Sequence, residues 1–418
     1  MHLLAASLAL LPAIAAAHEG YPGPRLFGAP GMKKMKMRRD AVEINHNKVR
    51  YGSDVQARGV KESRQNGGTD GRCGDDGNGA SCASGYCCSI EGWCGNTSDY
   101  CSAPDCQFEY GPGCDANQKP SGSDTSGVTR TKVGNVVYGG EGIYHCTVPG
   151  TVALTYDDGP YIYTDALLNL LNSYGAKATF FITGNNIGKG SIDSTPAWGS
   201  VIQRMAAEGH QIASHTWSHQ NLDEISSSKR KEQIVWNEIA LQNIVGYFPT
   251  YMRPPYSACI TPACEQDMAD LGYHISYFDV DTDDYNNLTP ELIQNAKDNF
   301  GNAVVGPTST NKYLSIAHDI HQLSAEDLTV YMLEHIQAQG FRAVTMGECM
   351  GDPIQNWYRT GSGGSIPSSS VPTSTPTGTP STDGSCGGSD GKSCAGAGFG
   401  SCCSQYGYWY VEPPGLPV

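Results

Sequence analysis

The chain has 418 residues, a formal net charge of −15 and 16 cysteines. That length accommodates one large domain plus smaller modules, and the acidic balance argues against nucleic acid or anionic lipid headgroups as partners, since phosphate contacts need clustered Lys and Arg. Beyond the N-terminus, no stretch approaches the roughly 18 apolar residues of a membrane span, so no membrane span is predicted.

Residues 1–17 read as a signal peptide. The apolar run from Leu3 to Ile14 is too short to cross a bilayer and ends in Ala15-Ala16-Ala17, small residues suited to cleavage. The expected product is secreted, extracellular or cell-wall associated, and its cysteines are expected as disulfides. Residues 18–70 are polar and without periodicity, and their one basic cluster ends in Arg38-Arg39, a propeptide cleavage signal. In residues 71–115 eight cysteines crowd together: Cys73, Cys82, Cys87, Cys88, Cys94, Cys101, Cys106 and Cys114. So small a unit must be held by cross-links. Residues 116–139 form a linker that is rich in Ser, Gly and Thr from Lys119 to Arg130.

Strand and helix signals alternate over residues 140–352. Strands are predicted at 151–155, 178–182, 211–214, 275–278, 313–317 and 343–345, with an amphipathic helix around 166–171 closed by Gly175. Such a series suggests parallel β/α units. Residues 353–385 are a Ser/Thr/Pro-rich stalk. Residues 386–418 hold Cys386, Cys394, Cys402 and Cys403, and Cys402-Cys403-Ser404 repeats Cys87-Cys88-Ser89. The repeat breaks at Trp409, where the first copy has Cys94, so this second unit is incomplete.

Chemistry-bearing residues fall at the strand ends. Asp157 and Asp158 close one strand signal, His215 follows another with His219 four residues on, Asp281 follows a third, and His318 closes a fourth. One aspartate oxygen and two imidazole nitrogens make a three-donor set that leaves a metal position open, and the adjacent aspartate is a candidate base. In β/α barrels such groups share one mouth. Both aspartates can face one site only if the chain turns there, and Gly159-Pro160 supplies a turn. Each pattern also has a plainer reading: paired aspartates as turn formers, two histidines as a solvated helix face, His318 as a hydrogen-bonded core residue.

Thr155-Tyr156-Asp157-Asp158-Gly159-Pro160, His215-Thr216-Trp217-Ser218-His219, Arg253-Pro254-Pro255-Tyr256, Asp281-Thr282-Asp283-Asp284-Tyr285 and Ile316-Ala317-His318 resemble, in order, the five motifs of the polysaccharide deacetylases (NodB homology, carbohydrate esterase family 4). The resemblance covers about half the chain. It implies an α/β fold, a distorted (β/α) barrel, and metal-dependent removal of acetyl groups from sugars. It implies Asp158, His215 and His219 as ligands of a divalent metal, usually zinc, with cobalt as the alternative. Asp157 would be the general base, held ionised by Arg253, and the Tyr256 backbone N–H would stabilise the oxyanion. His318 would protonate the leaving amine, with Asp281 orienting it and raising its pKa. Tyr285 and Ile316 would line the acetyl pocket where Trp and Leu are usual, and Tyr156 replaces the usual Phe.

The eight-cysteine unit resembles hevein-type chitin-binding domains. That implies the bridges Cys73–Cys88, Cys82–Cys94, Cys87–Cys101 and Cys106–Cys114, with Ser89, Trp93 and Tyr100 as ligand positions and Glu91 replacing a family aromatic. Two further pairings, Cys146–Cys349 across the ends of the enzyme-like region and Cys259–Cys264 after Tyr256, are hypotheses from placement. The expected partner is chitin or its oligosaccharides and the expected state a monomer. A deacetylase of peptidoglycan or acetylxylan, or a chitin-binding wall protein with a vestigial barrel, are the alternatives.

Overall fold

The computed structural model describes residues 67–68 and 70–361, together with the backbones of the short strands Cys402–Cys403 and Trp409–Tyr410. The expected signal peptide, the dibasic site and residues 362–385 of the stalk lie outside the described residues; residues 353–361, expected as its start, instead pack on the preceding domain, with Trp357 and Tyr358 buried and Tyr358–Arg359 paired to Phe248–Pro249. Among the described residues no helix is long and apolar enough to cross a membrane.

Short parallel strands build one curved sheet. In chain order they are β1 (Thr151–Ala153), β2 (Thr155–Asp157), β3 (Thr179–Ile182), β4 (Gln211–Ser214), β5 (Tyr251–Met252), β6 (His274–Ile275), β7 (Val280–Asp281), β8 (Tyr313–His318) and β9 (Arg342–Val344). Their spatial order is β9-β1-β8-β2-β3-β4-β5-β6, with β7 on β8. β1 and β2 keep a single register against β8, Val152 opposite Tyr313 and Asp157 opposite His318, so residues 151–157 act as one run. Strands β2, β3 and β4 are buried throughout, as expected where helices cover a parallel sheet. The helix Thr164–Ser173 turns Leu167, Leu168 and Leu171 into that core, and Gly175 ends it at φ 63.

The parallel registers bring the carboxyl ends together. Asp157 pairs with Phe181, Ile182 with Ser214, and Ser214 with Met252. The residues just beyond, Asp158, His215 and Arg253, therefore emerge on one edge beside His318.

In the cysteine-rich unit the structure pairs Cys73 with Cys88, Cys82 with Cys94, Cys87 with Cys101 and Cys106 with Cys114. Cys146 is bridged to Cys349 and Cys259 to Cys264. The predicted linker is not a free tether in this fold. Thr125 is fully buried and donates to Glu238, whose carboxylate also takes both terminal nitrogens of Arg130. Residues 119–130 are thus a strap lying on the helix Ser227–Val245, because a buried carboxylate demands partners that composition alone does not reveal.

A separate unit spans residues 367–418. Within it Cys402 pairs with Tyr410 and Cys403 with Trp409, the register in which Cys87 pairs with Gly95 and Cys88 with Cys94. The backbone repeat persists where the cross-linking cysteine is replaced.

The two N-glycosylation sequons, at Asn96 and Asn287, differ in access. Asn96 is exposed. Asn287 is buried, its amide donating to the Asp283 carbonyl at 2.7 Å and accepting from Asn295 at 2.9 Å. Glycopeptide mapping is expected to find glycan at Asn96 only; occupancy of Asn287 in folded protein would contradict this packing.

Candidate metal and acid–base site

Asp158 leaves β2 with φ 78, a left-handed conformation that breaks strand alternation and turns both adjacent carboxylates toward one site. The turn therefore begins at Asp158 itself, a residue before the predicted Gly159-Pro160. Gly159 is needed for another reason: a Cβ there would overlap the Asp319 carboxylate. The histidine pair is not on a helix, despite its four-residue spacing. Residues 215–219 form a loop with Thr216 at φ 71 and His219 at φ 54. Tyr256 adds a fourth non-glycine residue of this kind, at φ 59. Such strain persists only where the surroundings over-determine it, and here it gathers around one centre.

The donor atoms converge. His219 Nε2 lies 3.1 Å and His215 Nε2 3.5 Å from Asp158 Oδ1, and one ligand atom from each residue lies within 4.8 Å of the others. Tetrahedral bonds of about 2.0–2.1 Å would place neighbouring donors roughly 3.3 Å apart. Asp158 Oδ1 is buried and, apart from the two imidazole nitrogens that face it, has no partner among the described residues. A buried carboxylate oxygen is rarely left so, and a cation would satisfy it. His215 Nδ1–H donates to the Arg253 carbonyl at 2.7 Å, which leaves Nε2 as the free lone pair facing Asp158. Burial pushes His215 down to about 4, against the pull of Asp157, so the ring is neutral as a ligand must be. Burial opposes ionisation of Asp158, but His219 and His215 more than offset it and hold that carboxyl well below the usual range. The residues fit a divalent metal.

Beside these donors, Arg253 is 1% exposed and reaches Asp157 Oδ1 at 2.8 Å. Its remaining bonds run to Thr155 Oγ1 at 2.6 Å and the Tyr277 carbonyl at 2.8 Å, with the Phe181 ring 4.2 Å away. Both terminal nitrogens of the guanidinium are thus held, and with them the carboxylate. Asp157 Oδ2 is 3.8 Å from His215 Nε2, which puts it beside the donor set. The Tyr256 ring meets the His219 ring edge-on at 4.7 Å.

The partner of His318 is Asp284, which corrects the expectation for Asp281. His318 Nδ1–H and backbone N–H donate to the two oxygens of Asp284, each at 2.8 Å. Asp281 sits on β7 in register with Ile316, two residues short of His318. Its carboxylate instead accepts from the Asp283 N–H at 2.8 Å and the Tyr285 hydroxyl at 3.3 Å, and its charge acts on Arg253. The chain after β7 bends at Asp283, φ 54, into a short turn that swings Asp284 back beneath the histidine. Burial pushes His318 down, but Asp284, Asp158 and Asp157 outweigh it and raise the ring to about 10. The Tyr285 ring lies edge-on to His318 at 5.3 Å, and Ile316 shares the strand face of His318.

Two further residues support the site and carry no signal in the sequence reading. Lys189, buried, donates from Nζ to the carbonyls of Asp158 at 2.8 Å and Gly159 at 3.0 Å. Asp319, fully buried, accepts from Thr164 Oγ1 at 2.6 Å and lies against Gly159. Burial lowers the lysine and raises the aspartate. Together they clamp the turn that carries Asp158.

In the cysteine-rich unit, Trp93 is 41% exposed, but the Arg72 guanidinium covers one ring face at 3.9 Å. Ser89 is 5% exposed, its Oγ accepting from the Trp93 N–H at 3.2 Å, so it shapes the turn beneath Trp93. The Tyr100 ring packs over Gly95, where a Cβ would overlap it. One face each of Trp93 and Tyr100 is thus engaged within the unit.

Three clustered donors, a carboxylate held by Arg253 and an imidazole held by Asp284 fit the site of a hydrolase that uses a metal. Residues 145–276 match the family described as polysaccharide deacetylase, and residues 72–114 match chitin recognition protein. A chitin deacetylase of Colletotrichum lindemuthianum is 41% identical over 220 residues, 53% of this chain and 87% of that protein. A probable peptidoglycan-N-acetylglucosamine deacetylase of Arthroderma benhamiae is 42% identical over 226 residues, 54% of this chain and 49% of that protein. The solved structure of the Colletotrichum lindemuthianum chitin deacetylase superposes with a TM-score of 0.50 at 40% identity, covering 53% of this chain and 97% of that one. The chain belongs to the polysaccharide deacetylase family, whose members use a divalent metal.

Proposed function

We propose that the protein is a secreted chitin deacetylase, acting as a monomer, that hydrolyses the acetamide of N-acetylglucosamine units to acetate and a free amine. Residues 140–352 would be the catalytic domain and residues 71–115 a chitin-binding module. The observation that carries the chemistry is the placement of the Asp157–Arg253 pair and the His318–Asp284 pair around one three-donor centre. Asp158, His215 and His219 would hold the metal. Two imidazoles and one carboxylate favour zinc, with cobalt as the alternative. When bound, the ion supplies Lewis acidity toward water and the acetamide oxygen.

The protein's own groups divide the remaining work. Asp157 accepts a proton from water as it attacks the carbonyl carbon, and the Tyr256 backbone N–H faces the developing oxyanion. His318, held cationic by Asp284, delivers its proton to the nitrogen as the C–N bond breaks, because an amine leaves poorly unless protonated. Tyr285 and Ile316 would bound the acetyl methyl. Trp93 and Tyr100 would face chitin in the module, through the ring faces that Arg72 and Gly95 leave open, with Ser89 shaping the turn beneath Trp93.

Acetate release from chitin oligomers, acetylxylan and peptidoglycan tests both substrate and metal. Chitin oligomers are expected to be turned over, with activity lost to chelator and restored by zinc. Chelator-resistant turnover would remove the metal reading. The 42% identity to a probable peptidoglycan deacetylase supports a second reading, and activity on peptidoglycan alone would decide for it.

A further inference from the structure

The cysteine-rich module is seated on the loops that carry the metal donors. Trp217 stands between His215 and His219 in the chain and is 1% exposed. Its indole N–H donates to the Asp115 carbonyl at 3.1 Å, one residue past the module's last cysteine. Alongside, the Asn185 N–H donates to the Trp217 carbonyl at 2.6 Å. Burial raises the Asp115 carboxylate to about 6, against the Ala103 N–H and the Asn185 side chain, which face it and draw it down. The Ala103 carbonyl in turn accepts from Ile187 at 2.7 Å. On the helix behind, Lys229 Nζ donates to Asn117 Oδ1 at 3.0 Å. Toward the mouth, burial, then the charge of Asp158 and then that of Asp105 raise the Tyr256 phenol. The strap of residues 119–130 is fastened to Glu238 just beyond. A tether that only anchors an enzyme to solid chitin needs none of these bonds.

We propose that the module is a fixed wall of the catalytic groove, and that Asp115 is a positioning residue for the His215–His219 loop, its main-chain carbonyl holding Trp217 and its carboxylate facing Asn185. Turnover of short soluble N-acetylglucosamine oligomers then depends on the module as much as turnover of insoluble chitin does. The inference rests on reading residues 215–219 as the metal loop.

The test uses the full chain carrying Asp115→Ala, with Asp115→Asn as the conservative control and Trp217→Phe to remove the indole donor. Amide hydrogen exchange is followed over residues 103–117, 184–188 and 215–219, together with the rate of zinc loss to chelator. Asp115→Ala, acting through Asn185, is expected to speed exchange about tenfold in residues 103–117 and 184–188, and Trp217→Phe, which alone removes the bond to the Asp115 main-chain carbonyl, to do so in residues 215–219 and to hasten zinc loss. On the soluble N-acetylglucosamine tetramer each of the two should lower kcat about tenfold with little change in KM, while Asp115→Asn, which keeps a side-chain oxygen facing Asn185 and Ala103, retains most of the activity. If Asp115→Ala does not fold, Lys229→Met opens the same seam from its outer side and should shift exchange in the same segments. Exchange that rises in residues 103–117 alone overturns the proposal. So does a loss confined to insoluble chitin, which would make the module a tethered anchor. Should the unaltered protein release no acetate, the reading of the site fails, and the exchange arm still decides whether the module braces the loop.

Discussion

Asp157→Asn is expected to lower turnover of chitin oligomers by roughly 10³-fold while the metal stays bound. The substitution keeps the shape of the side chain and an oxygen for Arg253 Nη1, now 2.8 Å from Asp157 Oδ1, but an amide cannot take a proton from water. General-base catalysis contributes about 10²–10⁴-fold. Asp158, His215 and His219 are untouched, so metal content by mass spectrometry should match the unaltered protein. A stability loss is expected too. Arg253 is buried, and leaving a buried charge without its counter-ion costs about 3–5 kcal/mol. Loss of activity with unchanged metal content and a lowered Tm is the expected signature; full activity would sink the assignment of the base.

Asp284→Asn should give the second-largest effect, about 10²-fold in kcat/KM with a displaced pH profile. His318 must carry its proton until the C–N bond breaks. Burial alone would push the ring down, and the Asp284 carboxylate is the foremost group raising it, to about 10. The protonated form therefore persists through neutral pH and is lost as pH rises through the raised value. With a neutral Asn in place, burial dominates and the proton is lost at lower pH. The alkaline limb of kcat/KM should move to lower pH by roughly a unit or more. Asp281→Asn serves as the discriminating control, since Asp281 contacts Asp283 and Tyr285. An alkaline limb that moves with Asp281→Asn and stays with Asp284→Asn would restore Asp281 as the orienting residue.

Much of this site is legible without coordinates because strand ends are legible. The apolar runs before Asp157, His215 and His318 mark buried strands, and parallel strands in a β/α series present their carboxyl ends on one edge. The choice among Asp281, Asp283 and Asp284 is not legible in the same way. All three stand within four residues, and which one reaches His318 depends on a left-handed Asp283 and a short turn, local geometry that no periodicity announces. Lys189 and Asp319 are hidden for a related reason. Each is an ordinary charged residue in sequence, and only burial against the Asp158–Gly159 backbone makes it structural. Spacing misleads once, at His215 and His219, where a four-residue interval suggests a helix and the chain forms a strained loop.

The sequence by itself determined the donor types, their order along the chain and the parallel β/α class, because these follow from side-chain chemistry and from the periodicity of buried strands. It also determined a cross-linked module, since eight cysteines in so short a polar segment leave no other means of holding a fold. The tertiary structure decided which aspartate holds His318, where the chain turns to face both carboxylates inward, and that residues 103–130 lie fastened to the catalytic domain. Those outcomes depend on satisfying buried polar groups. The indole N–H of Trp217 and the carboxylate of Glu238 must find partners once water is excluded, and the partners they find are distant in sequence and ordinary in composition.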